Sequence, residues 1–165
     1  MAQDFSVRHL TCWPFCMKFT GLDVFDSTIQ RTNGWLRDLM LELNWVDRRK
    51  TYLVFRSVLH AVRDHLILND AVYLGDQLPM LIRGFYFEHW KLEGKPLPLR
   101  SREEYLAVLS NYLTLNGESA ANAEGITRAV FRLLDRKAAS GEIEDVSGIL
   151  PAGLLDLWPP RLRAA

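Results

Sequence analysis

The sequence lacks most of the features that announce a function. It has only two cysteines, Cys12 and Cys16, in a Cys-x3-Cys spacing with no second ligand pair. Neither a redox Cys-x-x-Cys nor a zinc-finger pattern is present, and no metal site is expected. No apolar run approaches the ~18 residues that cross a bilayer. Met80-Leu81-Ile82, for example, is stopped at once by Arg83. Asp4, Arg8 and His9 stand where the apolar core of a secretory leader would begin, so the expected compartment is the cytoplasm, with no membrane partner. Charge of one sign is not in excess, because 20 Lys plus Arg balance 20 Asp plus Glu. That disfavours a nucleic-acid partner, whose phosphate contacts need a basic surplus, although a local patch is still open. Gly-x-Gly-x-x-Gly, Walker and Gly-x-Ser-x-Gly patterns are all missing. No catalytic residue and no cofactor is therefore expected, and the balance leans away from an enzyme.

What the sequence does have is helical periodicity. It has 165 residues, 48 % apolar and 24 % charged, which is the range of a globular chain. Ser27-x-x-Gln30 reads as a capping box, followed by Ile29, Leu36, Leu39, Met40 and Leu43 at helical spacing. Asn44 reads as a stop and Asp47 as the next N-cap. Tyr52, Phe55, Leu59, Val62 and Leu66 then share a narrow arc at 100° per residue, which predicts a mostly buried helix. Asn69 and Asp70 offer caps for a short helix with Ala71, Val72, Leu74 and Leu78. Pro79 suits the first turn of another, where its missing N–H costs nothing. Gly94, Pro96 and Pro98 mark 91–100 as a linker. Ser101-x-x-Glu104 is a second capping box, Asn116-Gly117 a turn, Ser140-Gly141 a stop, and short helices flank Leu150-Pro151.

The two sides of the linker match at an offset of 72. Pro79 falls on Pro151, Leu78 on Leu150, Val62 on Leu134, Ile82 on Leu154 and Tyr86 on Trp158. Over 58–86, thirteen of 29 columns are apolar in both copies. Composition alone would give about seven, so the pattern reads as an internal repeat. The expected architecture is all-α: two tandem helical repeats, 17–90 and 101–158, packed as one pseudo-symmetric domain and related by a near two-fold rotation. The flanks, 1–16 and 159–165, read as a disordered extension and a tail. Met17 is the expected natural start, and removing the extension should leave stability unchanged.

The stretches FDSTIQRTNGWLRDLM, VLHAVRDHL, LGDQLPMLIRGFYFEHW and SGEIEDVSGILPAGLLDLW resemble the bacterial family called domain of unknown function 2267. The likeness covers about Met17 to Trp158. It implies an all-helical fold and a start near Met17, and it carries no activity and no catalytic residues. The second copy has Ile149-Leu150-Pro151-Ala152-Gly153 where the first has the motif-rich Gln77-Leu78-Pro79-Met80-Leu81. A site is therefore expected in the first copy.

Six residues are the candidates for it. His60, Arg63 and Asp64 share a face, and His60 and Asp64 lie four apart, so the carboxylate could orient the imidazole. The ordinary alternative is a solvated charged face, because Arg132, Asp135 and Arg136 repeat the charges without the histidine. Arg83, Tyr86 and Trp90 form the second group, with the composition of a binding hot spot. The ordinary alternative there is that the rings of Phe85, Tyr86, Phe87 and Trp90 are core. The leading expectation is a non-enzymatic protein-interaction or regulatory module centred on Arg83, Tyr86 and Trp90, its protein partner unidentified and a second copy of the chain one candidate. One alternative is a small-molecule binder or enzyme with an inter-repeat cleft using His60, Arg63, Arg83 and Tyr86. The other is a nucleic-acid binder using Arg48, Arg49, Arg56, Arg63 and Arg83. A deep pocket with His60 in its wall would favour the cleft, an exposed aromatic patch the protein partner, and a continuous positive stripe the nucleic acid.

Overall fold

A computed structural model describes residues 20–99 and 101–160. The expectations for 1–16 and for the end of the tail lie outside the described residues. Among the described residues seven α-helices follow one another: α1 Asp23–Leu43, α2 Arg48–His65, α3 Leu68–Gln77, α4 Met80–Phe87, α5 Arg102–Leu115, α6 Ala123–Ala139 and α7 Ala152–Leu155. A 3-10 turn, Ser147–Ile149, precedes α7, and no strand occurs among the described residues. The all-α expectation is met.

Most of the helix ends follow the local chemistry. Asn44 closes α1 in the left-handed conformation, φ 52°, with its N–H on the Leu41 and Met40 carbonyls. Asp47 caps α2, its carboxylate accepting the Lys50 N–H at 3.0 Å. Ser101 caps α5 by accepting the Glu104 N–H at 3.3 Å. Three starts differ from expectation. Helix α1 begins at Asp23, so Ser27 lies inside it and its hydroxyl donates back to the Val24 carbonyl at 3.0 Å. The chain is instead fixed by Asp26, which is buried and accepts from both the Thr20 N–H and its hydroxyl. Helix α3 begins at Leu68, which places Asp70 in its first turn, where a carboxylate favours the macrodipole. Pro79 is the N-cap of α4, one position before the first turn.

Helix α2 is the centre of the molecule and packs on α1, α4, α5 and α6. Val54, Phe55, Val58, Leu59, Ala61 and Val62 are all shut off from water. Burying each larger side chain is worth roughly 1.5–3 kcal/mol. Two buried hydroxyls of this helix are satisfied by its own backbone, Thr51 and Ser57 donating to the Asp47 and Leu53 carbonyls. Helix α4 is fastened to α3 by the Tyr86 hydroxyl on the Ala71 carbonyl, 2.8 Å. The close approach depends on Gly75, since a Cβ there would run into the Phe87 ring.

The halves interleave. Helix α1 packs on α6 and α2 packs on α5, so each long pair crosses from one half to the other. The 72-residue offset places α1 on α5, α2 on α6 and α4 on α7, and α1 touches α2, α4 and α6 while α5 touches α6, α7 and α2. Polar bridges also cross. Glu42 of α1 accepts from Arg132 and Arg136 of α6, the Trp35 indole donates to Glu142 at 3.2 Å, and Gln77 accepts the Glu144 N–H at 3.0 Å. The span expected as a linker is irregular, but it is pinned: Leu97 donates its N–H to the Asp64 carbonyl at 2.7 Å.

Candidate functional site

The end of α4 explains much of the charged face on α2. A helix leaves its last carbonyls without intrahelical donors. Here α2 supplies them from the side. His60 Nε2 meets the Phe85 carbonyl at 2.6 Å, and the Arg63 guanidinium donates to the Tyr86 carbonyl. Arg63 also lies over the rings of Tyr86 and Trp90, 5.8 and 5.3 Å from their centres. His89 then turns the chain with a left-handed φ of 53°.

Asp64 is the second fixture. It is only 2 % exposed, and its carboxylate accepts from Lys95 at 2.5 Å, the Tyr112 hydroxyl at 2.6 Å and Arg63 Nε at 3.0 Å. Three elements thus meet on one carboxylate: α2, the span after α4, and α5. Burial works to raise the Asp64 carboxyl. The hydrogen bonds from Lys95 and Tyr112, with the Arg63 charge, outweigh it and hold the group below the usual carboxylate range.

Above this fixture opens a cleft of about 380 Å³, walled by Arg56, His60, Arg63, Asp64, Glu88, His89, Lys91, Glu93, Lys95 and Tyr112. Every one of these side chains is ionisable. Burial is the main cause that drives His60 down to about 4, so at neutral pH the imidazole is uncharged and its Nε2–H is the donor to Phe85. Burial, then the Asp64 carboxylate, pushes Tyr112 up to about 12. Arg56 bonds Glu88 at 2.8 Å, while its Nε is buried with no acceptor.

The structure places the six sequence candidates in four settings. His60, Arg63 and Asp64 do share a cleft wall, but the last two are buried, and the solvated-face alternative does not describe them. Asp64 spends its oxygens on Lys95, Tyr112 and Arg63, so the His60–Asp64 dyad suggested by the i,i+4 spacing is not formed. Tyr86 is fully buried under α3, so it cannot centre a surface. Trp90 is half-buried and lines an adjoining chamber with Leu66, Leu68, Leu92, Lys95 and Pro96. Arg83 is on another side, in a groove of about 420 Å³ between α1 and the α3–α4 turn. There it donates to the Asp76 and Leu78 carbonyls and faces the Asp76 carboxylate at 3.4 Å. The arginines grouped for nucleic acid are engaged with protein partners at four of five positions: Arg48 with Asn33, Arg56 with Glu88, Arg63 with Asp64 and Arg83 with Asp76.

Sequence reasoning missed Lys95 and Tyr112, and it grouped Arg56 with the arginines for nucleic acid rather than with this cleft. Tyr112 sits one residue before Leu113, beside the buried stripe of Tyr105, Leu109 and Leu113, where a flanking ring can carry a polar tip. Lys95 lies between Gly94 and Pro96, and no period marks it. Among the described residues, no group of three or more His, Cys, Asp or Glu is placed to hold a metal ion, and no helix is long and apolar enough to cross a membrane.

Fold and cleft together define an all-α protein of two interleaved helical halves, with an ionic cleft on the central helix. A family model described as "Uncharacterized conserved protein (DUF2267)" matches residues 32–157, and the chain belongs to that family. No curated protein matches the chain.

Proposed function

We propose that this chain is a binding protein without catalytic turnover, and that the cleft over Asp64 takes a small oxyanion. The observation that carries the reading is a charge imbalance at the cleft floor. Arg63 and Lys95 both rest on the single Asp64 carboxylate, and Arg63 is 4 % exposed. Buried charges are stable when paired, and two cations on one carboxylate leave a positive surplus. The carboxyl end of α4 offsets about half a charge. An oxyanion beside Lys95 and Arg56 would offset the rest and give the buried Arg56 Nε–H an acceptor.

The titrations favour binding over chemistry. A general acid or base works best with a pKa near the operating pH. His60 near 4, Tyr112 near 12 and Asp64 below its ordinary range are all tuned away from neutrality. His60 then serves as a neutral wall and a helix cap.

The test is a titration of the whole chain with inorganic phosphate, followed by backbone amide NMR and thermal melting. Saturable shifts at His60, Lys91, Lys95 and Tyr112, with a rise in melting temperature above that given by sodium chloride at equal ionic strength, are the expected result. Identical responses to the two salts would overturn the reading.

A second reading, the protein partner, is favoured by the apolar side chains around the other groove. Val24 and Met80 line it with 55 % and 53 % exposure, and Phe25 and Leu81 beside them in sequence are 46 % and 44 % exposed. Sedimentation of the chain over a wide concentration range, with Met80→Glu as control, tests the self-associating form of this reading. A monomer throughout removes that form.

A further inference from the structure

We propose that the anion taken by this cleft carries an apolar body, so that the ligand class is a small amphipathic acid such as a short-chain carboxylate. This rests on the oxyanion reading above and adds to it the chamber next door. The ionic cleft and the chamber are separate spaces with one wall in common, Lys95, which lines both. The chamber holds about 260 Å³, and its other walls are Leu66, Leu68, Trp90, Leu92 and Pro96. It is apolar where the cleft is ionic. Ligand sites have this form: mostly apolar walls with a few placed polar groups that fix orientation.

Three observations point the same way. Leu68 and Leu92 stand at the chamber with 51 % and 55 % of their surface in water, so an apolar body seated there covers side chains the fold leaves wet. The Trp90 Nε1–H is buried with no acceptor, although buried donors are normally paired. Lys95 bonds Asp64 at 2.5 Å through an ammonium that carries further donors, so it can hold a carboxylate head while keeping that bond. The charge surplus sets the sign of the head, and the apolar walls set the body. Water or bare phosphate satisfies only one of the two.

The experiment is a chain-length series on the full chain: acetate, butyrate and hexanoate, with inorganic phosphate and 1-hexanol as controls. Binding is read from the Trp90 indole resonance, assigned with Trp90→Phe, and from the Lys95 amide. Each buried methylene strengthens binding about threefold to fourfold, so each two-carbon step should gain roughly tenfold. Hexanol, with the body and no charge, should bind at least tenfold more weakly than hexanoate. Leu68→Glu places a carboxylate at the chamber on an exposed position. It should abolish the chain-length gain, so that acetate and hexanoate bind the variant alike. A flat series with phosphate still bound overturns this inference and leaves the oxyanion reading standing. Hexanol matching hexanoate also overturns it. If neither phosphate nor any acid perturbs the cleft, both readings fall.

Discussion

Helix α4 and its second-half counterpart α7 start alike and end differently. Each opens behind a Leu-Pro pair, Leu78-Pro79 and Leu150-Pro151, with the proline as N-cap. Each buries one aliphatic side chain completely, Ile82 and Leu154. Yet α4 runs eight residues and α7 only four. Their carboxyl ends are served differently. Helix α2 sends His60 and Arg63 to the last carbonyls of α4. Seventy-two residues on, α6 carries Arg132 and Asp135, and Arg132 turns outward to Glu42 at 2.8 Å. The end of α7 receives one donor from that helix, Arg128 on the Asp156 carbonyl at 2.9 Å. The apolar columns are shared because both halves feed one core. The polar columns diverge because each answers to the particular carbonyls and carboxylates beside it. The cleft lies beside the end of α4, where the capping side chains come from α2.

The comparison breaks most sharply at Arg63. Arg63→Ala leaves the Asp64 carboxylate and the Tyr86 carbonyl short of a donor, and it should cost about 3–5 kcal/mol in urea unfolding. Arg132→Ala, exposed at 45 % of its side chain, should cost about 1 kcal/mol or less. Equal losses at the two positions would mean that the caps do not distinguish the halves. Next come the shared columns. We propose that the halves are related by a near two-fold axis. On that basis Ile82→Ala and Leu154→Ala should each cost roughly 2–5 kcal/mol and agree within about 1 kcal/mol. A near-neutral Leu154→Ala would make α7 peripheral and the relation a matter of pattern only.

The smallest effect sharpens the contrast through pH. The His60 pKa of about 4 lies below its ordinary 6.5, so the unfolded chain takes up the proton first. This contribution is fully present above pH 6.5, erodes as pH falls, and is gone below about 4. Discounted for partial exposure, the loss should reach about 2 kcal/mol. His60→Gln keeps an N–H for the Phe85 carbonyl and removes the titration. Its stability should therefore be flatter across that window. Asp64, held below the carboxylate range, acts at lower pH still and should persist in the variant. Parallel pH profiles for the parent chain and His60→Gln would show that burial does not perturb His60.

Much of the fold was legible in the sequence, because helical burial is written in period. The arc of Tyr52, Phe55, Leu59, Val62 and Leu66 marked the central helix, and Asp47, Ser101 and Asn44 marked real ends. The start of α1 was misplaced because its orphan N–H groups are not met by the Ser27 box, while Thr20 and Asp26 settle the chain six residues apart. The site was legible only in part. His60, Arg63 and Asp64 were visible as a face, but a helical wheel does not show that the face lies against another helix end. Tyr86 looked like a surface ring because nothing in its own helix reveals the Ala71 carbonyl waiting on α3. Lys95 and Tyr112 reach Asp64 across 31 and 48 residues, a pairing no local pattern encodes.

The interleaving of α1 with α6 and α2 with α5 bears on the exchange of halves between molecules. Each contact that holds one half to the other could be made equally well by the matching half of a second molecule. What favours the partner on the same chain is its high effective concentration, set by the span between α4 and α5. Pinning that span to Asp64 through Lys95 and Leu97 fixes its path as well as its length. Releasing those pins lowers the barrier to exchange of halves between molecules, the usual route from a hinge change to a swapped dimer. One buried residue, Asp64, therefore ties down the span on which such an exchange would turn, Lys95 by its carboxylate and Leu97 by its carbonyl.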